Sequence, residues 1–333
     1  MAGLRADQLP LYKKDMYKAE REGYDEVPTT YNKIFFVKEA VTGAGDKVSQ
    51  VLGAQQLTRH TSENQQIDYA SPSNGWEFLV KYHTYSAGLS LGFEAVEDTV
   101  KLGNLLNDLA QTWGRQNRRA KEKLAARMFN EGGTLSGDWV FNGTHVGNAD
   151  SSGDMLYDGS PLFALNNASY LHTTKSGNTY YNSVASLALT PSNFETIYQL
   201  HVTTNAFDEA GDEIENPVDT VLTKSGTDQF LADRIFSTPR SQGMPFGQNN
   251  DVNPYFGIIN NKIGWRYLND TADVFYIGKA RSTDFQFHER MRPRLRFFRD
   301  ENTAGYKVSN MLRIGILIKN FRAWSRGGGT SGA

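Results

Sequence analysis

The longest regular pattern of apolar and polar positions runs over residues 94–130. Leu102, Leu106, Leu109, Trp113, Ala120, Leu124 and Met128 recur in steps of three, four and seven, which keeps one stripe on one side of a 3.6-residue helix. Ser90 is placed to cap its start, Glu94, Glu97 and Asp98 crowd the first turns, and Gly132-Gly133 ends the run. At 1.5 Å per residue such a helix is roughly 55 Å long. Gly103 and the fully polar stretch 114–119 (GRQNRR) interrupt the pattern, so the alternative is two shorter helices broken at one of these places. The same stretch argues against a coiled coil, because heptads do not continue through it. Either way the segment needs a sheet or a second chain to lie on.

The second regular pattern has period two. Phe285, Phe287, Met291, Leu295 and Phe297 alternate with Gln286, His288, Arg290, Arg292, Arg294 and Arg296, which predicts an unusually long strand. A turn at 300–305 leads into a matching stripe of Val308, Leu312, Ile314, Ile316 and Ile318 within 307–324. Pairing Phe297 with Val308 sets Met291 opposite Ile314 and Phe287 opposite Ile318, so both apolar stripes share one face.

Elsewhere the signals are shorter. Residues 41–91 read as β: a weak strand at 48–52, another at 67–70, the turn 71–75, and an aromatic strand at 76–85 completing a hairpin. Neither face of that last strand is purely polar, which predicts a projecting hairpin covered by something else. Residues 1–40 show no sustained period and carry six aromatics (Tyr12, Tyr17, Tyr24, Tyr31, Phe35, Phe36), the pattern of an arm that orders on another surface. Thr190-Pro191 opens a helix with Phe194, Ile197, Tyr198 and His201 at helical spacing. An acidic loop at 207–217, a strand at 218–223, a helix at 227–236 and short strands at 256–259, 263–267 and 274–278 complete a compact α+β unit. The tail 327–333 is Gly-rich and reads as flexible.

Composition narrows the classes. The chain is 39% hydrophobic and 22% charged, a globular balance, and its 333 residues suffice for two or three domains. A net charge of −2 argues against a dedicated nucleic-acid binder, and the absence of cysteine removes disulfides, thiolate zinc sites and cysteine nucleophiles. No stretch approaches the length of a membrane span, and no secretory signal opens the chain, so cytoplasmic synthesis is expected. The six histidines show no paired metal spacing, the acidic loop does not match a calcium-binding hand, and no nucleotide or hydrolase fingerprint is present. No cofactor, metal or catalytic residue is therefore expected. A carboxylate-dependent hydrolase stays open, since carboxylate pairs are recognised in space.

The order of parts, with several local pieces, resembles the major capsid protein of tailed bacteriophages, in its Mu-type head-subunit branch. The pieces are Tyr82-His-Thr-Tyr-Ser-Ala-Gly-Leu-Ser-Leu-Gly-Phe-Glu94 leading into the helix, Tyr157-Asp-Gly-Ser-Pro-Leu-Phe163, the helix start at 189–194 with its acidic Gly-bearing loop, and Asp300-Glu-Asn-Thr303 before a strand ending Phe321-Arg-Ala-Trp324. The segment 166–172 is longer than the family pattern before its histidine. The resemblance implies an α+β capsid fold: an N-terminal arm (1–40), an extended loop (41–88), a peripheral domain (89–190 and 284–326) with the spine helix, and an axial domain (191–283). It implies a virion protein, not an enzyme, that assembles as hexamers and pentamers into an icosahedral shell enclosing DNA. Scaffold, portal and decoration proteins are the further partners it suggests, and another virion part, from tail or minor head, is the structural alternative.

Under that resemblance the arm and the loop lie across neighbouring subunits, with Trp76, Phe78, Val80 and Tyr82 as loop contacts. The row Arg290, Arg292, Arg294 and Arg296 has two readings: lining the inner wall against DNA phosphates, or pairing with acidic residues of its own or the next subunit. The low net charge favours pairing. Arg115, Arg118 and Arg119, with Lys121, Lys123 and Arg127, read as the solvated basic face of the spine helix.

Overall fold

The structure is a computed structural model. It describes residues 9–39, 41–43, 45–52, 73–92, 102–133, 140–141, 144–145, 158, 160–166, 171–174, 176–237, 253–268, 274–299 and 305–328. Helix α1 (Leu9–Glu26) and the single turn α2 (Tyr31–Ile34) lead into strand β1 (Phe35–Glu39). Strands β2 (Gly45–Leu52), β3 (Ser73–Lys81) and β4 (His83–Leu91) precede the long helix α3 (Leu102–Asn130). Short strands β5 (Val140–Phe141), β6 (Thr144–His145), β7 (His172–Thr173), β8 (Thr179–Tyr180) and β9 (Ser183–Val184) follow. Then come α4 (Pro191–Gln199), β10 (Thr220–Lys224), α5 (Thr227–Ser237), β11 (Asn261–Trp265) and β12 (Phe275–Gly278). The chain closes with β13 (Ser282–Arg299), β14 (Tyr306–Ile318) and β15 (Trp324–Gly327).

Helix α3 is unbroken from Leu102 to Asn130; the expected stretch 94–101 lies outside the described residues. It passes through both suspected breaks because its buried stripe continues there in polar form. Asn117 and Lys121 are buried where apolar side chains would otherwise be needed, and Asn117 exchanges amide hydrogen bonds with Asn310 of β14 (2.8 and 3.3 Å). Gly114 permits a close approach: a Cβ there would stand 2.0 Å from the Glu20 carbonyl oxygen of α1. On α1, a Cβ added at Gly23 would meet the Gln111 carbonyl oxygen just as closely, so the two helices, running parallel, pack backbone to backbone. Glycine costs helix propensity but removes the side-chain spacer.

Of the segment read as an arm ordering on another surface, residues 1–8 and 40 lie outside the described residues. Residues 9–39 pack on their own chain: Met16 joins Leu106, Ala110 and Trp113 in a buried cluster, and β1 runs parallel beside β13.

Two sheets flank α3. One has the order β1-β13-β14-β4, the other β11-β10-β12-β15-β9. The long hairpin of β13 and β14 forms as expected at its open end, with Phe297 opposite Val308. Toward the other end the register shifts twice, between Leu295 and Glu289, so that Met291 faces Arg313 and Phe287 faces Ile316 rather than Ile314 and Ile318. Pro293 lies inside this stretch and has no N–H for the ladder, the situation in which strands take up an irregularity. Beyond the shifts both faces of β13 are covered, and Gln286, His288 and Glu289 are buried alongside Phe285 and Phe287.

Further expectations are revised. Strand β3 pairs with β2, with Val48 opposite Phe78, and the expected strand 67–70 lies outside the described residues. After Tyr82 the chain leaves that ribbon and β4 joins the four-stranded sheet on β14. Residues 256–259 form a turn instead of a strand. Strand β15, assigned from sequence to the same unit as the long hairpin, lies inside the five-stranded sheet between β12 and β9. Gly327 is therefore paired and Gly328 donates to the Val184 carbonyl (3.0 Å), so the flexible tail cannot begin before residue 329.

The core is densest where the end of α3 meets both sheets. Phe129 is ringed by Phe35, Phe163, Trp265, Tyr276, Phe285 and Trp324 at centroid distances of 5.1 to 6.1 Å. A second cluster (Phe194, Ile197, Val221, Ile235, Phe236, Ile277) holds α4 and α5 on the five-stranded sheet. There Thr190 caps α4 by accepting from the Asn193 amide (3.2 Å), with Pro191 at the first helical position.

Candidate assembly surfaces

Strands β2 and β3 pair only with each other among the described strands. An isolated two-stranded ribbon is marginal in water, so this one calls for cover from outside its own sheet. Trp76, Phe78 and Val80 lie on β3, and their side chains fall outside the described residues. Tyr82, grouped with them from sequence, is instead 5% exposed, and its hydroxyl is hydrogen-bonded to His288 Nδ1 (3.0 Å). It anchors the base of the ribbon inside its own chain.

The arginine row divides. Arg294 and Arg296 are exposed on β13. Arg292 is ion-paired to Glu39 of the adjacent β1, within the same chain. Arg290 is half-buried, with its guanidinium over the Tyr82 ring (5.9 Å). The row is thus not one uniform surface, because the two register shifts turn its members differently.

The basic residues of α3 are not a solvated face, and this reading is corrected. Arg115 pairs with Glu26 of α1 (2.8 Å) and Arg118 stacks over Tyr24 (4.4 Å). Lys121 is completely buried, 2.9 Å from Glu289 Oε1 and donating to the Tyr24 hydroxyl (2.8 Å), while Tyr31 also donates to Glu289 (2.8 Å). Only Arg119 and Lys123 of the six are exposed. Sequence periodicity alone could not tell a basic face that meets a second helix from one that meets water.

One turn further, Glu122 is buried and holds three partners: the backbone N–H groups of Thr30 and Tyr31 and the indole Nε1–H of Trp265 (2.7 Å). Burial pushes its carboxyl above the usual carboxylate range, and the three donors partly offset that. Burial likewise raises Glu20, which accepts from Asn117 (3.2 Å). These carboxylates tie elements together. Glu122 lies two positions from both Ala120 and Leu124 of the expected stripe, so its spacing gave no signal.

The acidic loop folds as a hairpin in which Asp208 accepts from the Ala210 and Asp212 amides (2.8 and 2.9 Å). Glu209 turns inward to a buried ion pair with Arg322 (2.8 Å). Among the described residues no group of three or more His, Cys, Asp or Glu side chains is placed to hold a metal, and no helix is long and apolar enough to cross a membrane.

No protein-family model matches the chain, and no curated protein matches it in sequence. Solved structures do. The chain is similar to a subunit structure described as "Mycobacterium phage Patience", at 11% identity and a TM-score of 0.52, over 98% of this chain and 88% of that one. It is also similar to "Capsid of native GTA particle computed with C5 symmetry", at 11% identity and a TM-score of 0.50, over 90% and 91% of the two chains. At this identity the likeness concerns the fold, which is the α+β fold of tailed-phage major capsid proteins.

Proposed function

We propose that this chain is the shell-forming subunit of a tailed-phage-type virion, assembling as hexamers and pentamers into an icosahedral capsid around DNA. The observation that carries the reading is the β2–β3 ribbon, a pair of long strands with no third strand beside it among the described residues. A neighbouring copy supplies the missing cover. The shared fold supports the same conclusion, and so does the use of buried carboxylates as ties between elements.

In this reading Trp76, Phe78 and Val80 contact the neighbour. Arg294 and Arg296 remain the part of the arginine row available to a neighbour or to packaged DNA, since Arg292 is satisfied by Glu39. Scaffold, portal and decoration proteins are the further partners to look for. The test is electron microscopy and sedimentation of the overproduced protein. Closed shells of uniform diameter, or capsomers, support the reading; a monomer that persists at every concentration and with co-produced scaffold would falsify it.

A further inference from the structure

The five-stranded sheet ends in two chemically opposite edges. At one end is β11, whose outer edge pairs with no described strand. Clefts of about 660 and 650 Å³ flank it, and they bring Lys33, Lys262 and Arg281 to one side and Arg119 and Arg266 to the other. The acidic groups in these clefts are already engaged: Asp219 accepts from Thr220 and the Ala280 amide, Glu26 pairs with Arg115, and Glu122 is buried beneath. The turn leading into β11 exposes Phe256 (53%) and Ile258 (36%).

The opposite edge, at β9, lies four strand spacings away, roughly 19 Å. Beside it sits the acidic hairpin, held there by Tyr180 stacked on Phe207 and by the Glu209–Arg322 pair. Its outer side presents Glu213, Ile214 and Glu215, all exposed, with Ile214 at 39%. One edge thus offers an apolar residue between two carboxylates, the other exposed apolar residues next to cations.

We infer that these edges are made for each other in successive copies: the Glu213–Glu215 hairpin of one subunit docks on the β11 edge of the next. A head-to-tail contact between different surfaces of identical chains generates a ring when the rotation closes. Charge of opposite sign on the two surfaces sets their register and discourages like edges from meeting. The inference rests on the capsid reading, for which it names the contact inside a capsomer.

The test uses charge reversal in the full chain, read by electron microscopy and sedimentation, with circular dichroism to establish folding. Glu213→Lys with Glu215→Lys should abolish assembly, and so should Lys262→Glu with Arg266→Glu. The quadruple variant, reversed on both edges, should assemble again. An equimolar mixture of the two double variants should form rings only by alternation, which six-membered rings allow and five-membered rings forbid. It should therefore give tubes or open sheets in place of closed shells. If the wild type assembles and either folded double variant forms normal shells, or the quadruple variant fails to recover, the edge pairing is wrong while the capsid reading stands. If the wild type stays monomeric at every concentration and with co-produced scaffold, the capsid reading falls and takes the edge pairing with it.

Discussion

The Lys121–Glu289 pair allows a sharp energetic test of how α1, α3 and the four-stranded sheet are joined. The lysine side chain is 0% exposed and the glutamate 5%, with Nζ and Oε1 2.9 Å apart. Replacing Lys121 by Met keeps the volume and strands the carboxylate, which retains only the Tyr31 hydroxyl as donor. Removing one member of a buried pair costs about 3–5 kcal/mol, because the other charge stays desolvated. Replacing both, Lys121→Met with Glu289→Leu, removes the stranded charge together with its attraction, and such exchanges are often neutral or stabilising by about 1–4 kcal/mol. Denaturant titration of the four subunits in the double-mutant cycle gives the numbers. A Lys121→Met cost below about 1 kcal/mol, or a double variant no better than the single, refutes the claim that this pair is buried and mutually dependent.

Other outcomes follow from the same geometry. Gly114→Ala gains about 1 kcal/mol of helix propensity but forces a Cβ into the α1 backbone, where overpacking costs about 1–3 kcal/mol. It should destabilise the full chain yet stabilise a chain lacking residues 1–26, as read by paired thermal melts. His201 is buried and held from its ordinary 6.5 down to about 4, chiefly by desolvation. The unfolded chain takes up that proton first, so stability worth about 3 kcal/mol is complete above pH 6.5 and lost as pH falls to 4. His201→Asn should flatten that limb of the pH–stability curve. Glu20, Glu122 and Asp284, raised mainly by burial, carry the opposite sign just above their ordinary values. Ending the chain after Asn320 removes an inner strand of the five-stranded sheet along with Phe321 and Trp324, and should abolish cooperative unfolding measured by calorimetry.

Much of this architecture was legible in the residues, for physical reasons that also mark the limits. The α3 stripe and the β13–β14 alternation are long, and a long period outweighs local exceptions such as Gly103. Helix α1 escaped notice because it packs through Gly23 and a polar network; so narrow an apolar stripe leaves little periodic signal. The register shifts near Pro293 could be suspected from the proline but not counted. Strand β15 is four residues of Trp-Ser-Arg-Gly, with no alternation to reveal it as an inner strand. Of the expected contact residues, Tyr82 and Arg292 proved to serve their own chain, since a side chain's partner depends on tertiary register that local pattern does not encode.

Glu122 has a mechanical consequence. Its Oε1 grips the start of α2 by accepting from the Thr30 and Tyr31 amides, while its Oε2 holds the Trp265 indole at the end of β11. Any tilt of the five-stranded sheet against the long helix that frees the indole leaves a desolvated carboxylate with part of its support gone, so small excursions are resisted steeply and larger ones yield abruptly. A wall built from such bricks would behave like a snap-fit, stiff under slight load and then releasing at a threshold, rather than like rubber.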